Sequence, residues 1–174
     1  MIGEILAYTV PSIVVGVVVL IAIRYLFSAE KERQEFNLKK ENLKVMTPIR
    51  LRAYERMALF LERMTPGSLL LRQTYGNNIS SSDLHQQLLQ QIRNEWEHNV
   101  SQQIYIQEET WDLIENAKES ITELVNTCAS EIQKNTVAVG LATLILDTYK
   151  KGQDEEPTPI DVAMDAVRHD IGKL

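Results

Sequence analysis

The run Ile5–Ile23, ILAYTVPSIVVGVVVLIAI, contains no charged side chain. Nineteen residues at about 1.5 Å each reach roughly 28 Å as a helix, close to the hydrocarbon thickness of a bilayer. Arg24, Tyr25, Leu26 and Phe27 follow, an interfacial ending for a span. A cleaved signal peptide would need a basic leader, a shorter apolar run and a small-residue cleavage site. Here only Glu4 carries charge before the run, and Arg-Tyr-Leu-Phe comes after it. The reading is a single transmembrane anchor over residues 1–27, in contact with lipid through 5–23. Pro11 is a candidate kink, and Ser12 with Gly16 is a small-residue pair through which two spans can approach.

Charge then orients the anchor. Residues 28–52 carry seven Lys/Arg against four Glu, a surplus of three. The whole chain has a net charge of −6, so the remainder is strongly acidic. Lysine and arginine on the C-terminal side of a span place that side in the cytoplasm and the short N-terminus outside. An acidic body lacks the basic face of a general nucleic-acid binder. One cysteine, Cys128, excludes an intrachain disulfide.

Beyond the span the apolar periodicity is helical throughout. Residues 28–46 have no Gly or Pro and read as a helical stalk. Thr47-Pro48 reads as the start of a new helix and of a domain over 47–174. Its face is Ile49, Ala53, Met57, Phe60, Leu61 and Met64, and Pro66-Gly67 stops it. Leu69–Leu71 read as a short turn and 75–82 as a polar loop. Two long helices are predicted, Asp83–Ile104 and Glu108–Ile132. The second has the cleanest stripe: Trp111, Ile114, Ala117, Ile121, Leu124, Val125, Cys128 and Ile132. Cys128 on that stripe reads as core. A helix over Thr136–Lys150, a GQDEEP loop and a last helix opened by Thr158-Pro159 complete the chain. With no long period-2 alternation, the expected fold is all-α, built on a long antiparallel hairpin.

Catalytic motifs are missing from the sequence. It has no phosphate-binding glycine loop, no zinc-type cysteine pair and no nucleophile elbow. Glu95-x-x-His98 is half of a di-iron carboxylate motif, but neither His85 nor His169 supplies the second half. His169-Asp170 lacks the other ligands of a metal phosphohydrolase. No metal, cofactor or enzymatic activity is expected.

Helical projection gives one lead. At about 100° per residue, Glu95, Asn99 and Gln103 form a polar column inside the apolar face of their helix. Arg50 and Arg56 border the core face of the helix that opens at Thr47, while Arg52 and Arg63 are read as pointing further out. Buried polar groups need partners, so Arg50 and Arg56 are expected to pair with Glu95. The cluster Arg50, Arg56, Glu95, His98, Asn99 and Gln103 is then either a network that fixes helix packing or a small polar binding site. Leu51, Ala58 and Leu59 form a second apolar strip, which suggests another helix or a second subunit as partner.

The blocks TPIRLRAYERMALFLERMTPGSLLLR and IRNEWEHNVSQQIYI, with Trp111–Glu119, carry a resemblance over nearly the whole chain. The chain is similar to a family of small single-pass membrane proteins of Gram-negative bacteria whose function is unknown. The resemblance implies that architecture and the inner membrane. It implies no activity, ligand or catalytic residue. The expected function is a membrane-anchored helical scaffold that assembles with itself or with a membrane or cytosolic partner. The alternatives are a ligand-binding or enzymatic domain using the polar cluster, and an accessory subunit of a membrane transport or secretion complex.

Overall fold

A computed structural model describes the backbone of residues 2–73, 79–132 and 137–174, and within these the side chains of all but 2–18, 22 and 29. The chain is all-α, with no strand among the described residues beyond an isolated bridge between Ser80 and Val137. The helices are α1 (Ile2–Met64), α2 (Pro66–Leu71), α3 (Ser81–Asn99), a 3-10 helix (Val100–Tyr105), α4 (Glu108–Glu131), α5 (Ala138–Glu155) and α6 (Pro159–Ile171). Two compact units divide the chain, 1–46 and Thr47–Leu174.

The first unit is helix alone. The side chains of 5–18 and 22 in the expected span, with Pro11 and the Ser12–Gly16 pair, lie outside the described residues. Among the described residues no helix is long and apolar enough to cross a membrane. Phe36, Leu38, Leu43 and Val45 of this unit are exposed.

The expected helix start at Thr47-Pro48 is not there, because α1 runs through it without a break. Proline in a helix interior removes one N–H donor and crowds the carbonyl four residues back. Here that carbonyl belongs to Lys44, on a turn whose residues are exposed, so water can satisfy it.

The second unit has one core. From α1 it takes Ala53, Tyr54, Met57, Phe60, Leu61 and Met64, and from α4 Ile114, Ala117, Ile121, Val125 and Cys128. Leu84, Leu88 and Ile92 of α3, Leu141 and Ile145 of α5, and Ile160, Ala163 and Val167 of α6 add to it, with Leu69 and Leu70 of α2 and, besides these, Ile106 and Ala138. α4 is packed by α3, α5 and α6, and by α6 more extensively than by α3 or α5. α3 and α4 form the antiparallel hairpin: Trp96 meets Trp111 at one end, and His85 meets Asn126 at the other.

Local chemistry explains the helix starts. Ser80 and Asp83 form a reciprocal capping box on α3, and Thr158 and Asp161 form another on α6. Pro159 fills the first turn of α6, where its missing donor costs nothing. Thr65 caps α2, so the expected turn at Leu69–Leu71 is a short helix that buries Leu69 and Leu70. α4 has no side-chain cap and begins instead with Glu108 and Glu109, which favour the positive end of the helix dipole.

Two boundaries differ from expectation. The helix expected over Asp83–Ile104 ends at Asn99 and tightens into the 3-10 helix. α5 continues past Lys150 through Gly152 to Glu155, so most of the GQDEEP segment is helical. Residues 75–78 of the expected polar loop, and Thr136, lie outside the described residues.

Candidate functional site

Glu95 is half-buried at the edge of α3 and is shared by two arginines. Arg63 Nη1 lies 3.2 Å from its Oε2, and Arg72 Nη1 lies 3.0 Å from its Oε1. Arg63 comes from the last turn of α1, and Arg72 is the C-terminal cap of α2. The expected partners, Arg50 and Arg56, are therefore not the ones that pair with Glu95. Arg56 and Arg63 are seven residues apart and fall within about 20° of each other in projection. Angle alone cannot separate them; height along the helix does. Phe60, three residues before Arg63, packs on Trp96 with ring centroids 5.7 Å apart, and the ion pair puts Arg63 rather than Arg56 beside Glu95. Arg72 belongs to another helix, which a single-helix projection cannot contain.

The other expected residues divide. Arg56 is exposed, yet it lines a groove of about 190 Å³ with Arg63, Glu95, His98 and Asn99. Asn99 is buried, but its Nδ2 donates to the Glu95 backbone carbonyl at 2.8 Å, a bond back along its own helix. Gln103 leaves the column, because the 3-10 helix advances about 120° per residue rather than 100°. It is exposed. Arg50 Nε donates to the Tyr105 carbonyl at 3.2 Å, tying α1 to the end of the 3-10 helix.

Beside Glu95 is a larger open cleft of about 590 Å³. One wall is the Arg63–Glu95–Arg72 triad. The other is the polar face of α3, including Gln87, Gln90 and Asn94, with His98 at its end. Gln73 at the end of α2 hydrogen-bonds Gln91, and Gln90 Nε2 donates to Asn94 Oδ1 at 2.7 Å. An aromatic stack leads outward from the core: buried Phe60, then half-buried Trp96 and Trp111, with Lys118 Nζ 4.5 Å from the centre of the Trp96 ring.

A buried polar network was not anticipated from the sequence. Asp170 Oδ2 accepts from Tyr54 Oη at 3.0 Å and from Thr110 Oγ1 at 2.5 Å. The Gln107 backbone N–H donates to Tyr54 Oη at 3.3 Å. All three side chains are buried, so α1, α4 and α6 meet through one carboxylate oxygen. Burial pushes the Tyr54 phenol above its ordinary value; the Gln107 N–H works against that, Asp170 adds to it, and Arg50 again opposes it. The sequence signal was periodicity. Thr110 precedes Ile114, Ala117 and Ile121 on the α4 stripe, and Asp170 follows Ala163 and Val167 on that of α6. A carboxylate on an apolar stripe demands donors, and the His169-Asp170 pair by itself does not show them.

Cys128 is buried as expected, with Sγ 3.8 Å from Thr148 Oγ1. Burial raises its thiol above the ordinary value, more than the Thr148 contact lowers it. No group of three or more His, Cys, Asp or Glu that could hold a metal ion occurs among the described residues.

A family model described as a family of unknown function, DUF7935, matches residues 1–174. No curated protein and no solved structure matches the chain. Covered by that model over its full length, the chain belongs to DUF7935, a family of unknown function.

Proposed function

We propose that this protein is a non-enzymatic, membrane-anchored helical scaffold. Residues 5–23 hold it in a bacterial inner membrane with the N-terminus outside. Residues 47–174 are presented to the cytoplasm, where the protein assembles with a second copy or with a membrane or cytosolic partner. The observation that supports assembly is the run of exposed apolar side chains along α1: Phe36, Leu38, Leu43 and Val45, then Leu51 and Leu59. Leu59 is 58% exposed on the same helix whose other face fills the core. A helix with apolar residues on both faces suits a further packing partner.

The anchor rests on the uncharged run and on the lysine and arginine surplus after it. A phosphatase fused to the C-terminus should be inactive; an active fusion reverses the placement. Deleting residues 1–27 should give a soluble helical product. Gentle solubilisation of the full chain, followed by size analysis and mass spectrometry of what co-purifies, tests assembly. A strict monomer with no co-purifying protein defeats the scaffold reading. Stoichiometric recovery with components of a transport or secretion machine makes the chain an accessory subunit instead.

A further inference from the structure

The cleft beside Glu95 is walled by a single kind of chemistry. Every residue lining it is polar or charged, and five of them are carboxamides. Its volume, about 590 Å³, is that of a small-molecule site, yet no apolar residue lines it, and its apolar surface comes from the stems of polar side chains. We propose that this cleft binds a small hydroxyl-bearing anion of the sugar-phosphate or sugar-acid class. Arg63 and Arg72 take the anionic head, and the carboxamides of α3 take the hydroxyl groups. The inference stands independently of the scaffold reading.

Charge favours an anion here although the domain as a whole is acidic. Two guanidinium groups share one carboxylate, so the triad keeps a local surplus of one positive charge. Glu95 engages each guanidinium through Nη1. A guanidinium has five N–H donors in a rigid fork, so each arginine can hold Glu95 on one edge and an incoming oxyanion on another. Glu95 thus acts as a positioning residue. It fixes two long side chains before a ligand arrives, which reduces the entropy cost of binding.

The opposite wall narrows the ligand further. Gln87, Gln90, Gln91 and Asn94 follow at i, i+3, i+4 and i+7, one face of α3. That face extends about 10 Å, the length of a hexose with its phosphate. A hydroxyl both donates and accepts, and a carboxamide can answer both at once through its N–H and its oxygen. An ammonium only donates and a carboxylate only accepts. A lipid tail or an aromatic ring would meet only the methylene stems of polar side chains, with no apolar residue to enclose it.

The test is isothermal titration calorimetry on the full-length chain in detergent micelles. The probes are glucose 6-phosphate, gluconate, inorganic phosphate and glucose. Glucose 6-phosphate or gluconate should give saturable heat, about tenfold or more tighter than inorganic phosphate, and glucose should give none at the same concentrations. Arg72→Ala should weaken the anionic sugar about tenfold or more with an unchanged circular dichroism spectrum, since Arg72 is exposed. Gln87→Leu combined with Gln90→Leu should bring the sugar anion down to the affinity of phosphate and leave phosphate itself unmoved. The proposal is overturned if neither sugar anion gives saturable heat. It is overturned equally if phosphate binds as tightly as both, or if Arg72→Ala changes nothing.

Discussion

Asp170 shows how much one buried carboxylate can organise. A single oxygen receives hydroxyl donors from Tyr54 and Thr110, and the Tyr54 oxygen in turn receives the Gln107 N–H. Asp170→Ala should therefore destabilise the domain by about 2–3 kcal/mol in urea titration, because two buried hydroxyls lose their acceptor. Glu95 is a contrast. Its arginine partners are 44% and 38% exposed, so water competes for both pairs. Glu95→Ala should cost no more than about 1 kcal/mol in the same titration. Alkaline pH gives a further check on Tyr54, whose folded-state pKa is raised above the ordinary 10.0. The folded state then holds its proton more tightly than the unfolded state does. That stabilisation is complete below about pH 10 and is lost as pH rises past it. The urea midpoint should fall above that pH, and Tyr54→Phe should fall less steeply. Tyr149, also raised by burial, contributes in the same direction and preserves a residual slope in that variant.

At the level of elements, the capping signals were legible because they are local. Thr158-Pro159 with Asp161, and the serines before Asp83, act within four residues of chain. Helix ends were less legible. Thr47-Pro48 carries a valid start signal, yet continuing the helix leaves only one exposed carbonyl to be hydrated and keeps Ala53 and Tyr54 in the core. The GQDEEP segment, which reads as a loop, opens with Gly152. That glycine lies inside α5, and a Cβ built there meets nothing within 4 Å. Gly152→Ala should raise stability by about 0.5–1 kcal/mol, read as a higher melting temperature, because alanine loses less backbone freedom on entering a helix. If Gly152→Ala lowered the melting temperature, α5 would end earlier in solution.

Over the whole chain, residues 28–46 and 47–174 differ in what stabilises them. The first segment has exposed side chains throughout those described, whereas the second buries a continuous core from five α-helices besides α2. Isolated helices are marginal in water, and packed ones inherit the stability of the domain. Hydrogen exchange on the full chain should accordingly rank the amides of Ile114–Val125 well above those of 28–46. Equal protection would mean that 28–46 is packed against something, which the size analysis would then reveal. The sequence by itself determined the all-α class, the apolar stripes, the capped starts of α3 and α6 and the burial of Cys128, because those depend on periodicity and on neighbours a few residues apart. Tertiary structure alone decided that Glu95 meets Arg63 and Arg72 rather than Arg50 and Arg56, and that Tyr54, Thr110 and Asp170 converge. A projection supplies the angle of a side chain around its helix. Which residue stands opposite which depends on the relative height of packed helices, and that is set by how rings such as Phe60, Trp96 and Trp111 fit together.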